Sequence, residues 1–236
     1  MDLDLTRPFV ARHIGEAVPG FQAALLSGSV VRGHATATSD VDVVVLLPEG
    51  MGGRRETVSW EGTTVDIFAY DTDTLDRYLA KDTERRRPTL CSLVLDGLLV
   101  AGDPAAAERA VAAARKVFDA GPRPVPAAEL DRMRYGVTDL LLDVEGSGDR
   151  GETLILAATL VQALGDFVLA AAGRWTGQGK WLLRELRAYD KELAAGLVAA
   201  HDELARSAEV DPLVGLVDTV LAGYGGRYLV GRAEVG

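Results

Sequence analysis

The 236-residue sequence contains one cysteine, Cys91, and only three histidines. A single cysteine excludes an intramolecular disulfide and a zinc site built from several cysteines. We interpret Cys91 as a small core residue. The histidines share no spacing typical of a metal site, so the sequence assigns them no role.

Basic residues are also scarce. The chain has 25 Lys plus Arg against 35 Asp plus Glu, a formal net charge of -10. Nonspecific nucleic-acid binding needs a positive surface, so this charge argues against a nucleic-acid partner. Both halves of the chain carry an acidic excess, which favours a neutral or cationic small substrate.

Signals for export and membrane insertion are weak. The start, "MDLDLTRPFV", lacks the basic residues and apolar centre of a secretory signal, so we expect a cytoplasmic protein. The most apolar stretch, Thr153 to Gly173, is nearly long enough to span a bilayer. Because Asp166 would cost roughly 2.5 to 3.5 kcal/mol inside a membrane, we predict a buried central helix and no membrane partner.

Strand-like patterns are confined to the first part of the chain. "VDVVVLL" is a continuous apolar run, typical of a central strand covered on both faces. "RRETVSW" and "TTVDIFAY" flank the dipeptide Glu61-Gly62, which predicts a tight hairpin. "LCSLVLDGLLVAG" reads as helical or mixed, and "PAAAERAVAAARKVFDAG" as a helix.

The proline-rich segment "GPRPVP", Gly121 to Pro126, cannot form regular structure and marks a domain boundary. Beyond it the apolar residues recur at helical spacing. The predicted class is therefore α+β. Residues 1–120 would form a mixed sheet with flanking helices, and residues 127–236 a helical bundle.

Three acidic residues lie in strand-like surroundings. Asp40 and Asp42 stand at the start of the apolar run, and residues two apart in a strand share a face with Cα atoms roughly 6.5 to 7 Å apart. If "TTVDIF" pairs beside that run, Asp66 reaches the same place, where three carboxylates would repel without a cation. Their oxygen ligands suit Mg²⁺.

The preceding "SGS" supplies a complementary pattern. Gly28 allows close approach of the backbone to a phosphate, and Ser29 offers a hydroxyl and an amide at the start of a short helix. Metal-binding acids beside a phosphate-binding turn predict a site for a nucleoside triphosphate.

These motifs carry a resemblance to a known family. "GSVVRGHATATSDVD" resembles the Gly-Ser and Asp-x-Asp signature of the polymerase-beta-like nucleotidyltransferase superfamily, and Asp66 matches its third acidic position. The resemblance spans roughly residues 20 to 70. It implies that Asp40, Asp42 and Asp66 bind Mg²⁺, and that Gly28 and Ser29 hold the triphosphate of a co-substrate such as ATP.

The two-domain layout is similar to that of antibiotic nucleotidyltransferases acting on aminoglycosides or lincosamides. In the kanamycin-modifying relatives a glutamate of the helical domain is the general base, whereas this sequence has Ala170 there. Arg174, in "AAAGRW", could replace a phosphate-binding lysine. Lys180, in "GQGKW", could also contact phosphate, although a loop leading into a helix is an equal alternative.

The general base is therefore left with two candidates. One is Asp66, and the other is Asp166. Asp166 belongs to a polar stripe on an otherwise apolar helix, formed by Glu152, Thr159, Gln162 and Asp166. The alternative interpretation is that the residues of this stripe are hydrogen-bonded polar residues of the core. Asp139 and Asp143 are read as a solvated helix face.

The resemblance implies an Mg²⁺-dependent transfer of a nucleoside monophosphate to a hydroxyl of a small molecule, by a possible homodimer. The alternative is an antitoxin-like or regulatory protein with a protein or RNA partner, because minimal nucleotidyltransferase domains share the "GSxxRGxATxxSDxD" pattern. Against that alternative, a helical domain is already fused here. It also lacks the Arg-x4-His motif of the RNase partners.

Overall fold

The structure is a computed structural model that describes residues 2–229. The chain divides into two compact units, Met1–Gly121 and Pro122–Gly236, called here the N-terminal and C-terminal units. Residues 122–126 contain neither helix nor strand. The helical bundle was predicted to extend to residue 236, but residues 230–236 lie outside the described range.

The N-terminal unit contains five strands and five helices among its described residues. Its elements run in the order α1 (Leu3–Ala17), β1 (Ala23–Ser27), α2 (Gly28–Val31), β2 (Val41–Leu46), β3 (Gly53–Trp60), β4 (Thr63–Tyr70), α3 (Thr72–Arg85), α4 (Thr89–Leu95), β5 (Leu98–Gly102) and α5 (Pro104–Ala120).

The five strands form one mixed sheet with the order β3-β4-β2-β1-β5. β2 and β4 are parallel, and the other neighbouring pairs are antiparallel. The run containing Val43 and Val45 is buried on both faces of the sheet, as its continuous apolar sequence predicts. α1 and α2 pack on one face, while α3, α4 and α5 pack on the other, which also buries Cys91.

Two parts of this unit differ from the expectations drawn from sequence. The sequence patterns did not predict the first helix, α1. The segment read as helical or mixed divides into α4 and the edge strand β5. The break falls at Asp96 and Gly97, where a Cβ on Gly97 would lie 2.9 Å from the Cβ of Leu25 on the neighbouring strand. A glycine is needed there because the chain passes so close to β1.

Within the residues described, helices are the only regular secondary structure of the C-terminal unit. Its helices are α6 (Ala127–Gly146), α7 (Arg150–Ala171), α8 (Lys180–Tyr189), α9 (Lys191–Ser207) and α10 (Asp211–Ala222). Together with the sheet unit, this architecture confirms the predicted α+β class.

Helix α7 is long and apolar enough to cross a membrane by length and composition, as its sequence indicated. In the C-terminal unit it contacts α6, α8 and α9. Leu160 and Leu164 of α7 are fully buried in the shared apolar core, whereas Ile155 is 72% exposed. One side of α7 therefore packs in the core, and another side lies at the surface of the unit.

Candidate metal and nucleotide site

Parallel pairing of β2 with β4 brings the predicted acids together. Asp42 and Asp66 are direct partners in the register of these strands, and Asp40 precedes β2 by one residue. Carboxylate oxygens of the three residues lie within 4.8 Å of one another. Asp66 is buried and Asp42 is half-buried. The backbone thus places three acids where they can share a cation.

Electrostatics distinguish the members of this acidic cluster, Asp40, Asp42 and Asp66. Burial, with repulsion from Asp40 and Asp66, raises the pKa of Asp42 to about 6, although Arg32 and Arg55 oppose the rise. Burial also acts to raise the pKa of Asp66, but hydrogen bonds from Thr57 and Arg55 outweigh it and lower that pKa. Asp42 is therefore the acid whose charge most needs a counter-ion.

Arg55 and Thr57, two residues of β3, hold the carboxylate of Asp66. The Nη2 atom of Arg55 donates to Oδ2 of Asp66 at 2.7 Å, and the Thr57 hydroxyl donates to Oδ1. The Arg55 guanidinium also lies over the ring of Phe68, 4.7 Å from its centroid. Neither residue was predicted from the sequence to belong to the site. The signal was available, because a two-residue turn at Glu61 and Gly62 sets Thr57 opposite Asp66.

Gly28 is required by the position of Asp42. Its φ is +74°, and a Cβ at this residue would lie 1.8 Å from Oδ2 of Asp42. Any other residue would therefore meet both backbone strain and a clash with the carboxylate. The turn between β1 and α2 thus lies directly against the acidic cluster.

Ser29, the next residue, has a buried hydroxyl oxygen with no hydrogen-bond partner in the described part of the chain. The neighbouring Ser27 hydroxyl is satisfied, since it donates to the carbonyl oxygen of Leu93 at 2.5 Å. Buried polar atoms are normally paired, so an unpaired one indicates a missing partner. Three convergent carboxylates, next to a turn that carries an unpaired hydroxyl, fit a hard cation with oxygen ligands and an anion that the cation carries.

The C-terminal unit contains the other predicted residues. Asp166 accepts hydrogen bonds at both oxygens, from the Thr176 hydroxyl and from Nε2 of Gln162 at 2.9 Å. Gln162 also donates to the carbonyl oxygen of Gly177 at 3.1 Å. These bonds tie α7 to the loop before α8, which agrees with the hydrogen-bonded alternative for this part of the polar stripe.

The remaining candidates of this unit lie at its surface. Arg174 and Lys180 are exposed. Burial raises the pKa of Glu185, and the charge of Arg174 only partly opposes that rise. Ala170 is buried and offers no base. Glu152 and Thr159 of the polar stripe are also exposed, so they do not share the partly buried surroundings of Gln162 and Asp166. Asp139 and Asp143 are exposed as well.

Comparison with known proteins agrees with the site in the N-terminal unit. Residues 18–95 match the model of the nucleotidyltransferase domain family, a range that contains Gly28, Ser29 and the acidic cluster. No curated protein matches the chain. Among solved structures, it is similar to a nucleotidyltransferase-like protein from Exiguobacterium sibiricum 255-15. The TM-score is 0.41 at 15% identity, and the match covers 96% of this chain and 78% of that one.

The family match supports assignment of the N-terminal unit to the nucleotidyltransferase superfamily. Such a domain supports the transfer of a nucleoside monophosphate as the general activity, with a nucleoside triphosphate and a divalent metal ion as its general requirements.

Proposed function

We propose that this protein is an Mg²⁺-dependent nucleotidyltransferase that transfers AMP from ATP to a hydroxyl of a small molecule. The observation that carries the proposal is the acidic cluster, whose oxygens lie within 4.8 Å of one another. Gly28 lies against Asp42 of this cluster, and the next residue, Ser29, has an unpaired buried hydroxyl. Like charges gathered in this way are stabilised by a divalent cation. A triphosphate is the ligand that such a cation commonly shares with a protein.

The N-terminal unit would bind both the metal and the nucleotide. Asp40, Asp42 and Asp66 would hold Mg²⁺, which supplies neutralisation of the charge on the phosphates. The backbone at Gly28 and the hydroxyl of Ser29 would contact the triphosphate. These residues would fix the α-phosphorus in position, and positioning with charge neutralisation is most of what phosphoryl-type transfer needs.

The reaction would exchange one phosphorus–oxygen bond for another. An acceptor oxygen bonds to the α-phosphorus, the bond from that phosphorus to the β-phosphate oxygen breaks, and pyrophosphate leaves. The hydroxyl proton passes to a base, for which we retain Asp66 and Asp166. Asp66 is held ionised by Thr57 and Arg55. Asp166 would first have to release one of its two hydrogen bonds.

The C-terminal unit would bind the acceptor. Its acidic excess suits a cationic, hydroxylated molecule, and an aminoglycoside or a lincosamide is our first candidate class. The exposed cations Arg174 and Lys180 would contribute phosphate contacts. We further propose that the protein acts in the cytoplasm as a homodimer, without a membrane or nucleic-acid partner.

The decisive experiment is pyrophosphate release by the purified chain with Mg²⁺ and each of the four common nucleoside triphosphates. Acceptors would be aminoglycosides, lincosamides and simple polyols, tested one at a time. We expect acceptor-dependent release with ATP that Asp42→Asn abolishes. The matched control is Asp139→Asn, which removes an exposed acid of α6 and should leave release unchanged.

Two results would contradict the proposal in different ways. Nucleotide binding without release for any acceptor would redirect the search to a protein or RNA partner, the antitoxin-like alternative. Release that Asp42→Asn leaves intact would place the chemistry away from the acidic cluster.

A further inference from the structure

Arg55 occupies an unusual position for a residue beside a metal site. Its guanidinium bonds to Asp66 at 2.7 Å, yet its side chain is 61% exposed. Contact with the ring of Phe68 holds the guanidinium in place from one side. The positive charge also acts on the pKa of Asp42, so it lies within electrostatic reach of two of the three acids.

A cation bound to Asp66 would compete with this arrangement. Oδ2 of Asp66 accepts from Arg55, and Oδ1 accepts from Thr57, so both carboxylate oxygens already have donors. The Thr57 hydroxyl is neutral and can turn its hydrogen elsewhere. The Arg55 guanidinium is always charged, so it would repel a metal ion at the same carboxylate and compete with that ion for Oδ2.

We propose that Arg55 is a tethered cation that neutralises Asp66 until a metal ion arrives and then pairs with the nucleotide's phosphates. This inference rests on the proposed function, because it needs a metal and a triphosphate at the acidic cluster. The exposed side chain gives the guanidinium room to leave Asp66, while its contact with Phe68 keeps it near the site. Its planar set of donors suits phosphate oxygens.

The proposal predicts effects of opposite sign for a single substitution. In Arg55→Ala, Asp66 loses its competing cation, so a metal ion alone should bind more tightly. The same variant lacks a positive charge for the phosphates, so a metal–nucleotide complex should bind less tightly. A residue that merely supports the fold would change both affinities in the same direction.

Mn²⁺ is a suitable probe, because electron paramagnetic resonance counts the free ion without any turnover. We expect Arg55→Ala to bind Mn²⁺ about three to ten times more tightly than the wild-type chain, a range set by one partly exposed charged hydrogen bond. In calorimetry with Mg²⁺ and the non-hydrolysable analogue α,β-methylene-ATP, the same variant should bind about three to ten times less tightly.

Two further variants separate the steps. Arg54→Ala is the matched control, because the neighbouring Arg54 points to the other face of β3 and pairs with Glu56. It should leave both affinities unchanged. Thr57→Val removes only the neutral donor to Asp66, so it should not reproduce the opposite changes in affinity that are expected for Arg55→Ala.

The outcomes distinguish this inference from the function on which it rests. If Arg55→Ala binds Mn²⁺ no more tightly than wild type, or binds the analogue equally well, the role of Arg55 is overturned while the metal site stands. If no variant and no wild-type sample binds Mn²⁺, the metal-dependent function is overturned and the inference with it.

Discussion

Carboxylates are used in opposite ways in the two units. In the N-terminal unit Asp40, Asp42 and Asp66 converge, and repulsion adds to burial in raising the pKa of Asp42. In the C-terminal unit Asp218 and Glu145 hold Arg227 from two sides at 2.7 to 2.9 Å. There the hydrogen bond from Arg227 lowers the pKa of Asp218.

The difference shows which acids gain a cationic partner when the protein folds and which do not. Asp218 and Glu145 each find a cation within their own unit, so their charges stabilise the helices they join. Asp42 has only partial compensation from Arg32 and Arg55, and its ionisation costs stability until a cation binds. Convergent acids therefore indicate a ligand site in one unit, whereas paired acids indicate structure in the other.

The first test asks whether the units respond separately. Leu164→Ala removes a fully buried side chain from the core of α7 and should destabilise the C-terminal unit by about 2 to 5 kcal/mol. Hydrogen exchange followed by mass spectrometry should show faster exchange in α7 and no change in β2. Ile155→Ala, at an exposed position of the same helix, should have little effect. Equal loss of protection in β2 would contradict separate behaviour.

Gly28→Ala tests the close approach of backbone and carboxylate. The new Cβ would displace Asp42, so Mn²⁺ affinity should fall about tenfold to a hundredfold, the usual range when a metal ligand loses its support. Gly33→Ala is a matched control, because Gly33 also has a positive φ of +68° but nothing lies within 4 Å of its Cβ position. If both variants lose equal affinity, backbone strain rather than contact with Asp42 explains the loss.

Asp42→Asn should stabilise the metal-free N-terminal unit. The folded pKa of about 6 lies above the ordinary value of 3.8, so ionisation favours the unfolded chain. The penalty is absent below about pH 3.8, grows up to about pH 6 and is constant above it. Allowing for partial exposure, we expect a gain of about 2 kcal/mol at pH 7.

Hydrogen exchange of β2 in EDTA would measure this gain at several pH values. A variant as stable as wild type at pH 7, or a gain that shrinks between pH 4 and pH 7, would contradict the electrostatic account of Asp42.

Metal binding should produce the smallest of these effects. At ten times the dissociation constant, Mg²⁺ should protect the wild-type N-terminal unit by about 1.4 kcal/mol. Exchange in β2 should slow in the wild-type chain, exchange in α7 should not, and Asp42→Asn should abolish the response. Protection of α7 to the same degree would mean that the ion also binds the C-terminal unit.

Local patterns in the sequence predicted much of the site. The apolar run of β2 and the hairpin at Glu61 and Gly62 follow from periodicity and turn chemistry, and both are confirmed. The hairpin alone fixes Thr57 opposite Asp66. The roles of Arg55 and Thr57 were missed because β3 is an exposed edge strand rich in polar residues, and strand register alone does not show which side chains bond to a buried acid.

Contacts between distant segments account for what sequence could not predict. β3 lies between β2 and β4 in the sequence but at the edge of the sheet. The parallel pairing of β2 with β4 therefore depends on packing and cannot be derived from local sequence. The bond from Thr176 to Asp166 joins a helix to a loop ten residues away. β5 was read as helical or mixed because its apolar residues follow α4 directly, and its strand conformation depends on pairing with β1.

The pairing of Asp42 with Asp66 makes the proposed metal site sensitive to the alignment of β2 with β4. A slip of one residue between β2 and β4 would turn one acid to the opposite face of the sheet, although the apolar residues around it would remain similar. A single-residue deletion inside β4 would therefore separate the acids. Divalent-ion affinity would detect such a misaligned chain even where its helix and strand content was normal.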